Sequence, residues 1–518
     1  MKKLLVCLVA FTLLFSGCSS KKTETEVTKI KLSDSKITVD GEAISNDVSQ
    51  AVYSAKDIVF YQAGKDFTYG EGTAEDEHKQ SEADAHTVVH ITKPGKYILS
   101  GELSAGQVAV DLGEDAEKDP EAVVTLVLDD VDITCKVAPA IIFYNVYECG
   151  NADEEKATKD VDTKNAGANV IIADGTENNI NGSYVAKIYE SYELSEDGTE
   201  VVDSKKLHKY DAAFYSKKTM NVSGEEKGTG VLNIKAENEG LDSELHLTIN
   251  GGIINITSGN DGINTNEDNV SVTAINGGTL NIICDGSTGE GDGIDSNGWL
   301  VINGGTVTAQ ACATSGDAGI DSDMGIYING GKVVASGNML DHITGGSQTY
   351  AVFNFADSQN GKSTYSLKNA DGKVIGKYSP ENGFSCLIVA GDELTPGEYT
   401  FWQGNTQLAA SQQGNMHGGR PQMPDGEMPE LPEGETPPEM PEDMKGQGKP
   451  MGERPEKPDG EFPFMPDGER PEKPDGEMPE GMTPPDINGG NMMFDGEVSA
   501  SFTITKGGNL FSNVGPAE

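Results

Sequence analysis

Positive charge is scarce in this 518-residue chain, which has 38 Lys and Arg against 84 Asp and Glu and a net charge of −46. Its three arginines, Arg420, Arg454 and Arg470, all lie in one late segment. A surface this acidic repels the phosphates of nucleic acids and of anionic lipids. The composition therefore predicts no nucleic-acid partner, and it suits either a calcium-rich exterior or merely a soluble protein.

Long apolar runs are missing beyond the first residues of the chain. Two lysines, an apolar run ending at Phe15 and then Ser-Gly-Cys open the sequence. The run is too short for an ordinary membrane span. Its ending resembles a bacterial lipobox, although Phe15 stands where Leu is commoner. We expect a lipoprotein signal peptide at 1–17, lipidation of Cys18, a tether at 18–34 and an extracellular protein anchored to the cell membrane. An ordinary cleaved signal peptide is the alternative.

Cysteine is also too sparse to form a disulfide framework. Five cysteines follow Cys18, and an odd number in an exported protein argues against systematic pairing. We expect them to be small buried hydrophobic residues instead. They are Cys135, Cys149, Cys284, Cys312 and Cys386.

A repeat is the clearest feature that is present. The phrase Asn-Gly-Gly starts at residues 250, 276, 303 and 329, a period of 26 or 27 residues that indicates a solenoid. Apolar residues alternate around each copy, as in strands. We expect the asparagines to stack as an amide ladder and the glycines to permit a positive φ. The apolar columns are Ile249, Ile275, Ile302 and Ile328; Ile254, Leu280, Val307 and Val333; and Ile256, Ile282, Ala309 and Ala335.

These patterns predict an all-β protein, a right-handed parallel β-helix (solenoid) with a small C-terminal antiparallel β domain. The β-helix is placed at 35–338, and the small β domain at 339–411 plus 498–518. Residues 412–497 are rich in Pro, Gly, Glu and Met and contain 21 acids and 7 bases. Such a stretch cannot bury a core, so a disordered insertion between two strands is expected.

A second phrase, Gly-(Ile/Leu)-(Asp/Asn)-(Ser/Thr), recurs between the copies of the first. If its aliphatic residue points inward, the next residue points outward, and Asn264, Asp295 and Asp321 form a column. Adjacent turns would lie ~4.8 Å apart, so carboxylates on neighbouring turns can share one calcium ion. The alternative is that these residues only favour turns. The candidate calcium ligands are Asp242, Asp261, Asn264, Asp292, Asp295, Asn297, Asp317, Asp321 and Asp323.

Aromatic side chains are candidate platforms for sugar rings. Trp299 follows the third copy of the acid phrase, and Tyr327 follows the fourth. We predict that both bind carbohydrate, with partly buried structural aromatics as the alternative.

Residues for catalysis are harder to find. A lyase acting on uronates would need an Arg or Lys beside calcium, and the repeat contains no arginine. Lys235 and Lys332 are possible bases, but neither has a marked partner. The chain is therefore predicted not to be an enzyme, with a polysaccharide lyase as the next hypothesis.

Several stretches resemble a known family, the clostridial-type carbohydrate-binding domain with a polysaccharide-lyase-like β-helix. They are Thr-Lys-Pro-Gly-Lys-Tyr-Ile-Leu-Ser-Gly at 92–101, the strand-like residues 124–133, and residues 173–178 and 211–217, together with the Asp-Gly-Ile-Asp-Ser turns. The resemblance covers roughly residues 35–411, and the Pro-rich insertion departs from it.

The resemblance implies a secreted module that binds acidic or plant-wall polysaccharide, such as pectin (polygalacturonate) or cellulose, with calcium on the β-helix and no established catalysis. Two other functions stay open, a calcium-dependent lyase and a structural or adhesive surface protein that binds no glycan.

Overall fold

The computed structural model describes residues 27–412 and 497–517, and this part of the chain is nearly all β. Its helices are a single α-helical turn, α1 (Gln80–Ala83), and two short 3-10 segments, Glu114–Lys118 and Glu154–Lys156. The all-β class is confirmed. The predicted signal peptide with Cys18 and nearly all of the Pro-rich insertion lie outside the described residues.

The first half contributes fourteen strands. They are β1 (Val27–Leu32), β2 (Thr38–Val39), β3 (Glu42–Ala43), β4 (Val52–Ala55), β5 (Thr87–Ile91), β6 (Gly95–Leu103), β7 (Gly106–Asp111), β8 (Val124–Thr134), β9 (Ile141–Asn145), β10 (Ala168–Ile172), β11 (Glu177–Gly182), β12 (Val185–Leu194), β13 (Val201–Tyr210) and β14 (Ala212–Ser216).

The repeat region is cut into shorter strands of three to six residues. They are β15 (Met220–Gly224), β16 (Val231–Ala236), β17 (Glu239–Ser243), β18 (His246–Ile249), β19 (Ile253–Ser258), β20 (Ile263–Thr265), β21 (Val272–Ile275), β22 (Thr279–Cys284), β23 (Trp299–Ile302), β24 (Thr306–Gln310), β25 (Gly325–Ile328), β26 (Lys332–Gly337) and β27 (Ile343–Gly345).

The remaining strands follow the repeat. They are β28 (Tyr350–Gln359), β29 (Tyr365–Asn369), β30 (Val374–Tyr378), β31 (Phe384–Ala390), β32 (Gly397–Gln403), β33 (Thr406–Gln412), β34 (Val498–Ser499), β35 (Phe502–Ile504) and β36 (Gly508–Pro516).

Most strands before residue 346 pair in parallel within three ladders. Ladder one consists of β10, β15, β18, β21, β23, β25 and β27. Ladder two consists of β11, β16, β19, β22, β24 and β26. Ladder three consists of β5, β7, β9, β14, β17 and β20. The long strand β8 pairs in parallel with both β10 and β11.

The apolar columns of the sequence lie in register within these ladders. Ile275 pairs with Ile249 and Ile302 on ladder one, and Leu280 pairs with Ile254 and Val307 on ladder two. All twelve predicted column residues are at most 2% exposed. The predicted inward columns are therefore confirmed, and their side chains form one continuous core.

The asparagines of the repeated phrase form the expected amide ladder. Each Nδ2 donates to the Oδ1 of the preceding copy at 2.9 Å, from Asn329 through Asn303 and Asn276 to Asn250. The second glycine of each pair has a positive φ, as Gly278 does at +88°. A Cβ there would also lie 2.7 Å from a backbone oxygen of the preceding turn, so both conformation and space require glycine.

A second apolar core lies beyond the repeat. The strand β28 pairs with β31 in an antiparallel manner and with β36 in parallel, while β31 also pairs with β26. Alternate residues of β28 enter different cores, with Tyr350 and Val352 in the first and Phe353 and Phe355 in the second. The domain boundaries drawn from the sequence stay a prediction.

The five described cysteines are all free thiols, and four of them are buried. The four buried thiols match the expectation of small buried hydrophobic residues, whereas Cys149 is half-buried. Within the described ranges, no helix is long and apolar enough to cross a membrane.

Candidate functional site

The acid phrases place a row of polar side chains along ladder three and its continuation, with the first two residues, Asp242 and Asn264, buried and the next two, Asp295 and Asp321, half-buried. Asp242 pairs with Asn264, and the backbone N–H of Asp295 donates to Ile263 O on the turn before it at 2.8 Å. The N–H of Asp321 donates in the same way to Ile294 O at 2.7 Å. We call Asp242, Asn264, Asp295 and Asp321 the acid column.

Three predicted ligands beside the column bind backbone amides. Asp261 Oδ1 accepts the N–H of Asp292 at 2.7 Å, and Asp292 Oδ1 accepts the N–H of Ala318 at 2.5 Å. Asp317 Oδ2 accepts the N–H of Gly291 at 2.6 Å and the Ser315 hydroxyl. These bonds tie consecutive turns together, so turn formation explains part of the Asp pattern, as the alternative interpretation held.

Burial and mutual repulsion raise the pKa values of this group. Burial, with Asp295 and other carboxylates nearby, raises the pKa of Asp292 to about 8. Burial, followed by the charges of Asp295 and Glu239, raises the pKa of Asp261 well above its ordinary value. Burial and the adjacent Asp321 raise the pKa of Asp341 to about 7. Near pH 7 these shifts favour the protonated, neutral carboxyl groups, so a bound cation would have to displace protons and stabilise the ionised forms.

Two amide oxygens, one within the acid column and one beside it, lack hydrogen-bond partners in the described part of the chain. Asn264 donates its Nδ2 to Glu239 Oε1 at 3.2 Å, and its own Oδ1 is buried without a partner. Asn266 donates to both carboxylate oxygens of Asp242 at 3.0 Å, and its Oδ1 is likewise buried and unbonded. Buried polar atoms are normally satisfied, so these oxygens point to a missing donor or cation.

The donor chemistry fits calcium, which binds carboxylate and amide oxygens. Against this, no group of three or more His, Cys, Asp or Glu side chains in the described residues is already arranged around a common metal position. The oxygens have the right chemistry, and the acid column would have to reorient its side chains to close on an ion.

The remaining predicted ligands lie at the outer edge of the site. Asn297 donates its Nδ2 to Asp268 Oδ1 at 2.8 Å and to Asn266 O at 3.1 Å. Asp323 is exposed, and its N–H donates to Ser296 O at 3.1 Å.

The predicted aromatic platforms belong to a different ladder. Trp299 and Tyr327 lie on β23 and β25 of ladder one, whereas the acid column lies on ladder three. The ring of Tyr327 has Lys159 Nζ 5.3 Å from its centroid. The structure therefore does not group these aromatics with the acid column on one ladder.

The two possible catalytic lysines also lie away from the acid column in the strand order. Lys235 lies on β16 and Lys332 on β26, which both belong to ladder two, and both lysine side chains are exposed. Neither is on ladder three.

Sequence reasoning missed three acids and a tyrosine cluster at this site. Glu239 and Glu244 flank the first acid phrase, which could have identified them, whereas Asp341 follows no such phrase. Tyr215 pairs with Asp242 and donates to Glu244 Oε1, so an aromatic ring precedes the acid column on ladder three. Its ring lies 5.3 Å from that of Tyr210, and both are buried.

Comparison with known proteins identifies the family. The model of a carbohydrate-binding domain-containing protein matches residues 85–377, more than half of the chain. The chain belongs to this family of carbohydrate-binding domain-containing proteins.

One relative and one solved structure are similar over part of their length. A carbohydrate-binding domain-containing protein of Acetivibrio thermocellus is 32% identical over 170 residues, which are 32% of this chain and 44% of the relative. The chain thus matches less than half the length of that relative. A polysaccharide lyase-like protein from C. thermocellum, solved as a gadolinium derivative, aligns with 59% of this chain and 93% of its own at 21% identity. Its TM-score of 0.33 is too low to support an argument.

Proposed function

We propose that this protein binds acidic polysaccharide, such as pectin or polygalacturonate, through calcium held at the acid column, without cleaving it. The observation that carries the proposal is the pair of unbonded amide oxygens, on Asn264 and Asn266, beside carboxylates whose pKa values are raised. Family membership supports the carbohydrate ligand, and the oxygen-only donor set supports calcium.

The proposal includes closure of the three ladders into a right-handed parallel β-helix. The first turn of the repeat supplies β18, β19 and β20 to the three ladders, and the second supplies β21, β22 and a bridge from Ile294 to Ile263. Right-handed crossover is the general rule for parallel connections. Such a coil spaces the acids by ~4.8 Å along ladder three, within reach of shared ions.

Charge explains why a cation would be needed for an acidic ligand. A chain with a net charge of −46 repels polygalacturonate, and salt screens this repulsion only beyond about 8–10 Å. Calcium at Asp295 and Asp321 would offset the negative charge of their carboxylates, and its open coordination positions can accept a uronate carboxylate. The protein residues would hold the ion and keep the site in register with the ligand.

Affinity electrophoresis in polygalacturonate gels tests the proposal. We expect the chain to be retarded in calcium and to run freely with chelator. Asp295→Asn should weaken retardation about tenfold or more, since it removes one charged ligand from the acid column. Asp371→Asn, in the exposed turn between β29 and β30, makes the same charge change and should have no effect. Equal retardation with and without chelator would refute the calcium bridge.

We also propose that the chain is exported and anchored to the cell membrane through lipidated Cys18. The basic start, the short apolar run and the Ser-Gly-Cys ending support this location. Replacing Cys18 with Ala should release the protein from the membrane fraction into the medium. Equal membrane retention of the variant would contradict lipid anchoring.

A lyase is less well supported, because Lys235 and Lys332 lie on ladder two. Incubation with pectate and calcium should give no rise in ultraviolet absorbance from unsaturated products. A structural or adhesive protein that binds no glycan would give no signal on a glycan array, which distinguishes it from a binding module.

A further inference from the structure

A polar groove of about 500 Å³ runs along the outer face of ladder one, whereas the acid column lies on ladder three. Its floor follows the in-register residues Thr248, Ala274 and Val301 of three adjacent strands. One wall is the segment 159–164 from the loop between β9 and β10, and the other is the amide ladder.

The loop wall is fixed to the floor at two places. Thr163 Oγ1 is hydrogen-bonded to Thr248 Oγ1 at 2.8 Å, and its carbonyl accepts Asn221 Nδ2 at 2.7 Å. At the other end, Lys159 Nζ lies over the ring of Tyr327. The wall therefore spans the rungs from β15 to β25, parallel to the amide ladder.

The amide wall offers a repeating set of hydrogen-bonding groups. Within the ladder, Asn276 and Asn303 each use one N–H and one oxygen lone pair, which leaves one donor and one acceptor on each exposed carboxamide. The rungs recur every ~4.8 Å, so the four amides extend over roughly 14 Å. A ligand that repeats its hydroxyl groups along an extended chain matches this pattern.

The groove is close to electrically neutral, unlike the rest of the molecule. Lys159 Nζ is paired with Asp160 at 2.8 Å, and Lys164 Nζ lies 3.6 Å from Asp162. With its charges balanced and Ala274 on its floor, the groove presents polar walls and an apolar base. A neutral pyranose chain has the same division, with hydroxyl edges and C–H faces.

One buried oxygen atom beside the groove has no hydrogen-bond donor in the part of the chain that the structure describes. Asn221 is 8% exposed, and its Oδ1 has no hydrogen-bond partner among the described residues. A hydroxyl group entering at this end of the groove would supply the missing donor.

We propose that this groove is a second carbohydrate site, which binds an extended, uncharged polysaccharide chain without metal. The proposal rests on the carbohydrate-binding role of the family and not on calcium or on the acid column. It gives one molecule two sites of different chemistry, one for acidic and one for neutral chains.

The test is affinity electrophoresis of the full chain in gels containing hydroxyethylcellulose, with and without chelator. We expect retardation that the chelator does not change. Ala274→Trp fills the groove and should abolish it, whereas Thr257→Trp, an outward position on ladder two, should bind as the unmodified chain does. If Ala274→Trp fails to fold, Asn303→Ala removes one amide and should weaken retardation roughly tenfold.

The outcomes separate this proposal from the calcium proposal. No retardation in the neutral gel, or undiminished retardation of a folded Ala274→Trp variant, overturns the groove assignment. Retardation by polygalacturonate in calcium alone leaves the proposed function standing while the groove assignment fails. Chelator-insensitive retardation by the neutral polymer supports the groove even if calcium has no effect on acidic chains.

Discussion

At the scale of single residues, the same aspartates form hydrogen bonds between turns and have raised pKa values. Asp261 and Asp292 accept backbone amides from the following turn, which a turn preference predicts. Their raised pKa values and the unbonded oxygens of Asn264 and Asn266 are not explained by turns alone. The repeated phrase in the sequence shows where acids stack, but burial in the fold determines which of them have raised pKa values.

The raised pKa of Asp292 predicts a specific pH dependence of stability. An acid with an ordinary value of 3.8 and a folded value of about 8 binds its proton more tightly when folded. Its stabilising contribution is full below pH 4 and is lost as the pH rises toward 8. In chelator, Asp292→Asn should therefore gain a few degrees in melting temperature over the unmodified chain between pH 5 and pH 8. Parallel melting curves across this range would contradict the assignment.

Stabilisation by calcium should increase with pH, whereas the stabilisation from the protonated Asp292 decreases. A carboxyl group binds calcium only in its ionised form, so added calcium should raise the melting temperature more at pH 8 than at pH 5. Differential scanning calorimetry at both pH values measures this. An equal shift at both would indicate that calcium binds elsewhere.

The repeated glycine corner gives a second residue-scale prediction. Gly278→Ala combines a φ of +88° with a backbone contact at 2.7 Å, so it should lower the free energy of unfolding by about 1–3 kcal/mol. Gly316→Ala, where a Cβ meets nothing within 4 Å, is the matched control and should be nearly neutral. Urea denaturation compares them, and equal losses would refute the argument.

At the scale of elements, the sequence was sufficient wherever one side chain repeats. The period of Asn-Gly-Gly predicted the amide ladder and the three apolar columns, because each copy imposes the same local geometry. It could not predict the loop that lies on ladder one, since segment 159–164 has no repeat and its contacts are distant in sequence. The predicted grouping of Trp299 and Tyr327 with the acids rests on closeness in sequence, which does not specify the ladder on which a residue lies.

The amide ladder predicts that the same substitution destabilises the protein more inside the ladder than at its end. Asn276→Ala removes two ladder hydrogen bonds, whereas Asn329→Ala removes the one at the end. At about 0.5–1.5 kcal/mol per bond, the internal change should cost about twice the terminal one in free energy of unfolding. Urea titration of both variants measures the ratio, and a larger loss at Asn329 would contradict the ladder's role.

At the scale of the whole molecule, two apolar cores share strands. The faces of β28 and β31 divide their residues between the cores, so neither core can lose these strands alone. Alternation in residues 350–355 indicated a strand but not this double burial, which depends on pairing with β26 and β36.

Replacing a large side chain of the second core with a small one should therefore destabilise both cores together. Phe353 is fully buried, and its ring stacks 4.1 Å from that of Phe401. Phe353→Ala should cost about 3–5 kcal/mol and lower the melting temperature of one shared transition. Two separated calorimetric transitions in the variant would show that the cores unfold independently.

The central claim is that one calcium site and one acidic glycan stabilise each other on this protein. Isothermal titration of calcium, with and without saturating oligogalacturonate, tests it most directly, because the coupling between two ligands must be reciprocal. We predict that the glycan tightens calcium binding by the same factor, at least fivefold, by which calcium tightens glycan binding, and that Asp295→Asn abolishes both effects. A coupling factor of one in the unmodified chain would contradict the calcium bridge.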